Sequence, residues 1–275
     1  MSARPAPPHP VTVRLLGPIE VAIGDRPLEL GHARQRSVLA VLAVEANRVV
    51  SRAQLADRVW GDRAPASVTN LLYGYLGRLR ALLEPTGGAV SIQRRTGGYR
   101  LAVEEDAVDL LRFRRLAARA RAAGGGADAA GLWEQALAVW SGEPFSGAAD
   151  GWLAGVRRRL ADERRAAILD ANEHLLDRGG HDALLGPLRE LAAEHPYDER
   201  VAAQLATALH HCGRSAEALA VLARIRRRLA TEFGLGAGPA LRELERRILR
   251  ERSPAAPAYS AAATAGAGAR TTSAV

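Results

Sequence analysis

Residues 66–101, ASVTNLLYGYLGRLRALLEPTGGAVSIQRRTGGYRL, constrain the fold more than any other part of the chain. The first half carries apolar residues at helical spacing. They are Val68, Leu72, Leu76, Leu79 and Leu83, with Tyr75 beside them. This periodicity predicts an amphipathic helix with one stripe facing a core. We expect Ser67 to cap this helix through its side-chain oxygen and Pro85 to end it.

The face opposite the apolar stripe carries small, polar and basic residues. They are Asn70, Tyr73, Gly74, Gly77, Ala81 and, flanking them, Arg78 and Arg80. Each glycine inside an exposed helix costs about 1 kcal/mol relative to alanine. A helix that retains two of them is expected to need a close approach there, either to a DNA groove or to another helix.

The second half of the segment predicts a basic β-hairpin, the wing. Residues 91–94 and 99–103 can pair around Arg95-Thr96-Gly97-Gly98, and we expect both glycines to adopt the positive φ of a tight turn. Arg94, Arg95 and Thr96 would then reach DNA phosphates or a narrow minor groove. The alternative is a solvated basic hairpin. The preceding helix, with small residues on its exposed face, favours duplex DNA.

The distribution of charge agrees with this interpretation. The chain has 275 residues and a net charge of +8. Residues 1–104 hold 14 Arg and 8 acidic residues, which gives +6, whereas residues 105–275 hold 24 Arg and 22 acidic residues, which gives +2. All 38 basic residues are Arg, as codon bias in a GC-rich genome would produce. Such bias does not explain the asymmetry, which indicates a nucleic-acid ligand for the first part.

Other classes of protein lack support in the sequence. No apolar run approaches the length of a membrane span, and the N-terminus has no signal-peptide core. The single cysteine, Cys212, excludes an internal disulfide. We therefore expect a cytoplasmic protein. His210, His211 and Cys212 are adjacent and cannot converge from one helix on a metal. Neither a nucleophile elbow nor a P-loop occurs. We expect no catalytic residue, cofactor or metal.

The rest of residues 11–104 predicts the elements that complete a winged helix. Residues 11–16 and 19–23 read as a hairpin, residues 27–30 as a third strand and residues 48–50 as a brief strand. A helix over residues 32–46 would point Val38, Leu39, Leu42 and Ala43 inward, and a second would run from a Ser51 cap to Trp60. Arg34 and Arg36, near the start of the first helix, are candidate phosphate contacts.

From residue 105 the sequence predicts helices only. A break at 124–126 separates two of them, and a 34-residue period follows. The pairs at this spacing are Leu175 and Leu209, Gly179 and Gly213, Leu185 and Leu219, and Leu188 and Leu222. A helix, a glycine turn and a second helix at this period are typical of tetratricopeptide repeats. The arginine runs at 157–159 and 226–228 are interpreted as solvated helix faces rather than a second nucleic-acid surface.

The predicted fold is therefore mainly α with a small β component. A winged helix-turn-helix over residues 11–104 precedes an all-α, tetratricopeptide-like domain over residues 105–252. The lead, residues 1–10, is Pro-rich, and the tail, residues 253–275, has too little bulk to fold, so both are expected to be disordered.

Several strings resemble one family. GRLRALLEP and TGGYR resemble the winged helix of OmpR-type regulators, and LWEQALAVWSGEPF, GWLAGVRRRLADERR and LRELERRIL resemble the bacterial transcriptional activator domain. In this order the two domains resemble a small Streptomyces antibiotic regulatory protein (SARP). The resemblance implies an activator of a biosynthetic gene cluster that binds promoter direct repeats as a dimer or tandem copies, engages RNA polymerase and associates with the nucleoid. Two alternatives stay open: a tetratricopeptide-like interaction adaptor, and a repressor with the same DNA-binding domain.

Overall fold

The computed structural model describes residues 10–149 and 151–252, apart from the side chains of residues 127 and 252. The strands are β1 (Val11–Arg14), β2 (Glu20–Ile23), β3 (Arg26–Pro27), β4 (Val50–Ser51), β5 (Val90–Arg95) and β6 (Gly98–Val103). The first helices are α1 (Ala33–Val44), α2 (Arg52–Trp60), α3 (Val68–Leu83), α4 (Asp109–Ala123) and α5 (Ala127–Ala138). The others are α6 (Trp152–Asp177), α7 (His181–Glu194), α8 (Glu199–His211), α9 (Ser215–Phe233) and α10 (Pro239–Arg252). This order confirms the predicted fold class. Apart from Pro10, the predicted lead and tail lie outside the described residues.

The first sheet and α1 form the base of the winged helix. β1 pairs antiparallel with β2, and β2 with β3, as the predicted hairpin requires. The third strand is shorter and begins one residue earlier than predicted. Along α1, residues 38–43 are fully buried, which confirms the four inward residues and extends burial to the whole middle of the helix. A helix that is apolar all round is stable only inside a core.

The second sheet has the order β4-β6-β5 and carries the wing. Ser51 caps α2 as predicted, in a capping box with Gln54. The prediction for Ser67 is wrong, because its side chain makes no capping hydrogen bond. Its φ of −87° and ψ of 12° are not the extended conformation that directs a cap oxygen toward the first free amides. The entry to α3 is instead closed by a hydrogen bond from the Val68 amide to the Pro65 carbonyl, 2.9 Å long.

Helices α4 to α6 pack with the winged helix into one compact unit that ends at Gly180. The carboxylate of Asp109 accepts hydrogen bonds from the amides of Leu15 and Leu16, just after β1, at 2.8 to 2.9 Å. The loop after α5 reaches the same segment, since the Phe145 amide donates to the Leu15 carbonyl at 2.9 Å. The segment after β1 is therefore tied to α4 through the Asp109 side chain and to this loop through a backbone hydrogen bond.

The second compact unit begins at His181 and contains α7 to α10. The predicted 34-residue spacing has a structural counterpart, because Gly179 and Gly213 both follow a helix with a positive φ, +85° and +75°. Leu209 is buried, whereas its counterpart Leu175 is 38% exposed, so this pair of equivalent positions differs in burial. Among the described residues, no helix combines the length and apolarity that a bilayer crossing requires.

Candidate nucleic-acid interface

Helix α3 is amphipathic in the predicted orientation. Leu72, Tyr75, Leu76, Leu79 and Leu83 are buried, which anchors one face in the core. The opposite face is open: Asn70, Tyr73, Gly74, Gly77 and Arg78 are exposed. The helix therefore offers a solvent-facing surface whose position is fixed by five buried side chains.

The two glycines of this face have no role in packing within the described chain. A Cβ added to Gly77 would meet no atom within 4 Å, and one added to Gly74 would meet only the Nη2 atom of Arg78, at 3.9 Å. Glycine in a helix interior costs about 1 kcal/mol relative to alanine. No described neighbour offsets this cost, so packing within the described residues does not account for the two glycines.

The wing forms beside this helix with the predicted strands. β5 and β6 pair in a register that places Arg94 opposite Tyr99 and Arg95 opposite Gly98. Arg94, Arg95 and Thr96 are all exposed at or near the turn. Gln93 holds two basic side chains at the base of the tip, because its Oε1 accepts hydrogen bonds from Arg95 and from Arg100. Arg100 is a basic wing residue that the motif did not indicate.

The glycines at the wing turn have different roles, contrary to prediction. Gly97 has the expected positive φ, +88°. Gly98 is in extended strand geometry, and a Cβ there would overlap the carbonyl oxygen of Val50 in β4. Gly98 is therefore required by the close approach of two strands and not by the turn.

Two arginines of α3 that flank its exposed face are partly engaged within the domain. The Nε atom of Arg80 donates to the Ile92 carbonyl at 2.9 Å, and its guanidinium lies 5.4 Å from the ring centre of Tyr99. Arg80 therefore connects α3 to the wing. The Nε atom of Arg78 donates to Gln35 of α1 at 3.0 Å, although Arg78 is exposed.

The two arginines predicted on α1 are only partly exposed. Arg34 donates to the Val59 carbonyl at 3.2 Å and lies 5.8 Å from the ring centre of Trp60. Arg36 packs beside Gly147, in the loop after α5, and its Nε atom is buried without a hydrogen-bond partner among the described residues. Their role in phosphate binding stays a prediction, and the packing of Arg36 gives it a second role in holding this loop.

Arg52, at the start of α2, is a further basic residue at this surface that the sequence motifs did not identify. Its Nη1 atom donates to the hydroxyl of Tyr73 at 2.7 Å, and this hydrogen bond raises the pKa of Arg52 above its usual value. An open hollow of about 580 Å³ lies between the start of α2, the start of α3 and Gly97 of the wing turn. Arg52 lines this hollow, and its contact with Tyr73 connects the start of α2 to α3.

The fold is that of a winged-helix protein in which α3 is exposed and carries glycines and the wing carries arginines, followed by helices. Residues 25–101 match the family model of the transcriptional regulatory protein C-terminal domain, and residues 108–249 match that of the bacterial transcriptional activator domain. The chain belongs to the SARP-type family of transcriptional regulators, which combine these two domains.

Individual relatives agree with this assignment. The chain is 36% identical to the regulatory protein AfsR of Streptomyces coelicolor over 252 residues, which are 90% of this chain and 25% of AfsR. It is 32% identical to the regulatory protein DnrI of Streptomyces peucetius over 249 residues, which are 86% of this chain and 92% of DnrI. The solved structure of Mycobacterium tuberculosis EmbR in complex with a low affinity phosphopeptide matches with a TM-score of 0.83 at 30% identity, over 90% of this chain and 66% of that one. The chain thus spans only a quarter of the length of AfsR.

Proposed function

We propose that this protein is a sequence-specific DNA-binding transcriptional activator of a secondary-metabolite, or antibiotic, gene cluster. One observation supports this most strongly. The exposed face of α3 carries two glycines that have no packing role within the described chain, and it lies beside an exposed, arginine-bearing wing. A surface that is fixed, open to close approach and basic suits duplex DNA. Binding to DNA would place the protein on the nucleoid in the cytoplasm.

The exposed residues divide the proposed DNA contacts into those to bases and those to phosphates. Asn70 can form a bidentate pair with adenine in the major groove. Tyr73, held by Arg52, can contact a thymine methyl group or a phosphate. The phosphate backbone of the DNA would be contacted from the wing by Arg94, Arg95 and Thr96. It would also be contacted by Arg78 of α3 and Arg34 of α1. Phosphate contacts supply affinity and register, and base contacts supply the choice of sequence.

The proposed target is a promoter with direct repeats. Two copies bound head to tail on one face of the DNA would need repeats about one helical turn apart. Recruitment of RNA polymerase by the DNA-bound protein would account for activation. This part of the proposal rests on the family to which the chain belongs.

Footprinting on promoter fragments from the protein's own genomic neighbourhood, at low and moderate salt, tests the proposal. We expect protection of two direct repeats about one turn apart, with affinity falling as salt rises. Asn70→Ala should retain binding but lose about 1 to 3 kcal/mol of discrimination at one base pair. Folded protein that protects no fragment at either salt would favour the interaction adaptor. Transcription in vitro that falls when the protein is added would favour the repressor.

A further inference from the structure

Helices α7, α8 and α9 enclose a groove with an apolar floor. A hollow of about 530 Å³ lies over Leu205 and Leu209 of α8, between Ala192 of α7 and Val221 of α9. A smaller hollow of about 50 Å³ shares Ala192, Leu205 and Val221 with it and continues it toward the turn between α7 and α8. The two hollows form one groove, called the α9 groove below. Its small wall residues leave room for side chains of another molecule.

Two arginines of α9 line both parts of this groove. Arg224 and Arg228 are one helical turn apart, and both are exposed. Among the described residues neither forms an ion pair or a side-chain hydrogen bond. They differ in this from Arg226, on the same helix, whose Nη1 atom lies 2.9 Å from the carboxylate of Glu245. The groove therefore carries two cationic groups that no described acidic residue compensates.

The acidic residues at the groove are already engaged elsewhere. Glu217, in the larger hollow, accepts hydrogen bonds from Arg214 at 2.7 Å and from Arg189 at 3.4 Å, and these contacts lower its pKa. Asp198, in the smaller hollow, caps α8 by accepting the amides of Arg200 and Val201. Three arginines (Arg189, Arg224 and Arg228) against two carboxylates (Glu217 and Asp198) leave the groove lining with a net charge of +1, and the guanidinium groups of Arg224 and Arg228 are the ones free to pair with a ligand.

We propose that the α9 groove binds an acidic peptide segment of a partner protein, with small apolar side chains over Leu205 and carboxylates at Arg224 and Arg228. Charge complementarity identifies this occupant. A buried apolar core with charged groups at its rim is the usual anatomy of a protein–protein contact. A DNA backbone would match the arginines but would leave the apolar floor without a partner. The inference concerns a different surface from the DNA interface and does not depend on it.

Selection of random 12-residue peptides displayed on phage, against the immobilised full chain, tests this proposal. We expect enriched peptides to carry two or more Asp or Glu residues next to small apolar residues. The affinity of a labelled selected peptide, measured by fluorescence polarisation, should fall about tenfold or more in the double variant Arg224→Glu and Arg228→Glu, because charge reversal replaces attraction by repulsion. The double variant Arg227→Glu and Arg242→Glu changes net charge equally outside the groove and should bind as the unmodified chain does.

Three results would overturn the proposal. Enrichment of no peptide, or only of peptides without acidic residues, would exclude an acidic occupant. Equal loss of affinity in the two double variants would show that net charge alone drives binding. A loss of promoter-DNA affinity in the groove variant but not in its control, with peptide binding unchanged, would assign the two arginines to DNA. Circular dichroism of each variant verifies that the chain is still folded.

Discussion

The exposed face of α3 and the junction of β4 with β6 beside the wing turn both depend on glycine, but for opposite reasons. At the junction, the carbonyl of Val50 occupies the space that a side chain of Gly98 would need. On α3, a Cβ of Gly77 would meet nothing. The fold itself accounts for the first glycine and not for the second. Packing within the fold thus explains Gly98 but not Gly77. We expect substitution of Gly98 to affect stability and, if α3 meets DNA as proposed, substitution of Gly77 to affect binding.

The largest effect is expected for Gly98→Ala. The new methyl group would overlap the Val50 carbonyl oxygen, so β4 and β6 would have to separate. We expect the free energy of unfolding to fall by about 3 kcal/mol, the upper end of overpacking effects. Urea denaturation measures this change. Gly97→Ala, at a positive φ with no atom within 4 Å, is the control, and strain alone should cost it about 1 kcal/mol. Equal losses in the two variants would contradict the close approach as the cause.

Asp109, like Gly98, has a role that packing within the fold explains, and it adds a titratable group to the comparison. Burial raises the pKa of Asp109 from 3.8 to about 6, although the amides of Leu16, Leu15 and Leu110 act in the opposite direction. Between these two pKa values the folded state binds a proton that the unfolded state has released. This contribution to stability is complete below pH 4 and is lost as the pH rises through 6, by about 2 to 3 kcal/mol.

Urea denaturation from pH 4 to 7 measures this loss by comparing the unmodified chain with Asp109→Asn. The variant should lack the loss, because it has no titrating carboxyl group at this position. Near pH 4 the variant should be less stable by about 1 to 3 kcal/mol, because an amide nitrogen replaces one acceptor oxygen, and this difference should shrink or vanish toward pH 7. If the free energy of unfolding changed with pH in the same way in both proteins, the titration of buried Asp109 would be contradicted.

Local patterns in the sequence predicted the elements around the interface well. The spacing of Leu72, Leu76 and Leu79 identified α3 and its buried face, because burial on one side of a helix repeats every three to four residues. The Ser51 cap followed from short-range hydrogen bonding in the same way. Of the eleven predicted interface residues, all but Arg34, Arg36 and Arg80 are exposed.

What the sequence did not predict depends on contacts between distant residues. Asp109 accepts the amide of Leu15 from 94 positions away, and no local pattern marks an acidic residue for that role. Arg80 has the spacing of an exposed flank, yet it donates to the wing backbone at Ile92. Gly98 has the sequence context of a turn, but its neighbour comes from β4. In each case the partner was set by tertiary packing.

Substitution of the α3 glycines by alanine should change the free energy of unfolding in the direction opposite to Gly98→Ala. In Gly74→Ala and Gly77→Ala, the helix gains intrinsic propensity without a clash, so each should raise the free energy of unfolding by about 0.5 to 1 kcal/mol. If this face enters a DNA groove, promoter affinity should fall by about tenfold because the methyl group occupies the space of close approach. Gly131→Ala, in α5 and equally free of neighbours, should gain stability with unchanged DNA binding. A more stable Gly77→Ala protein with full affinity would exclude this face from the interface.

The smallest effect is expected at the wing tip, where Arg95 is exposed and its contact to Gln93 lies within the wing. Arg95→Ala should leave stability within about 0.5 kcal/mol of the original, since surface substitutions rarely do more. It should weaken binding to all DNA sequences similarly and reduce the slope of log affinity against log salt by about one, because one phosphate contact is lost. Gel shifts over a salt series measure both quantities, with Arg26→Ala in β3 as a charge-matched control. If affinity and salt dependence are both unchanged, the wing does not contact DNA, and α3 alone must carry the interface.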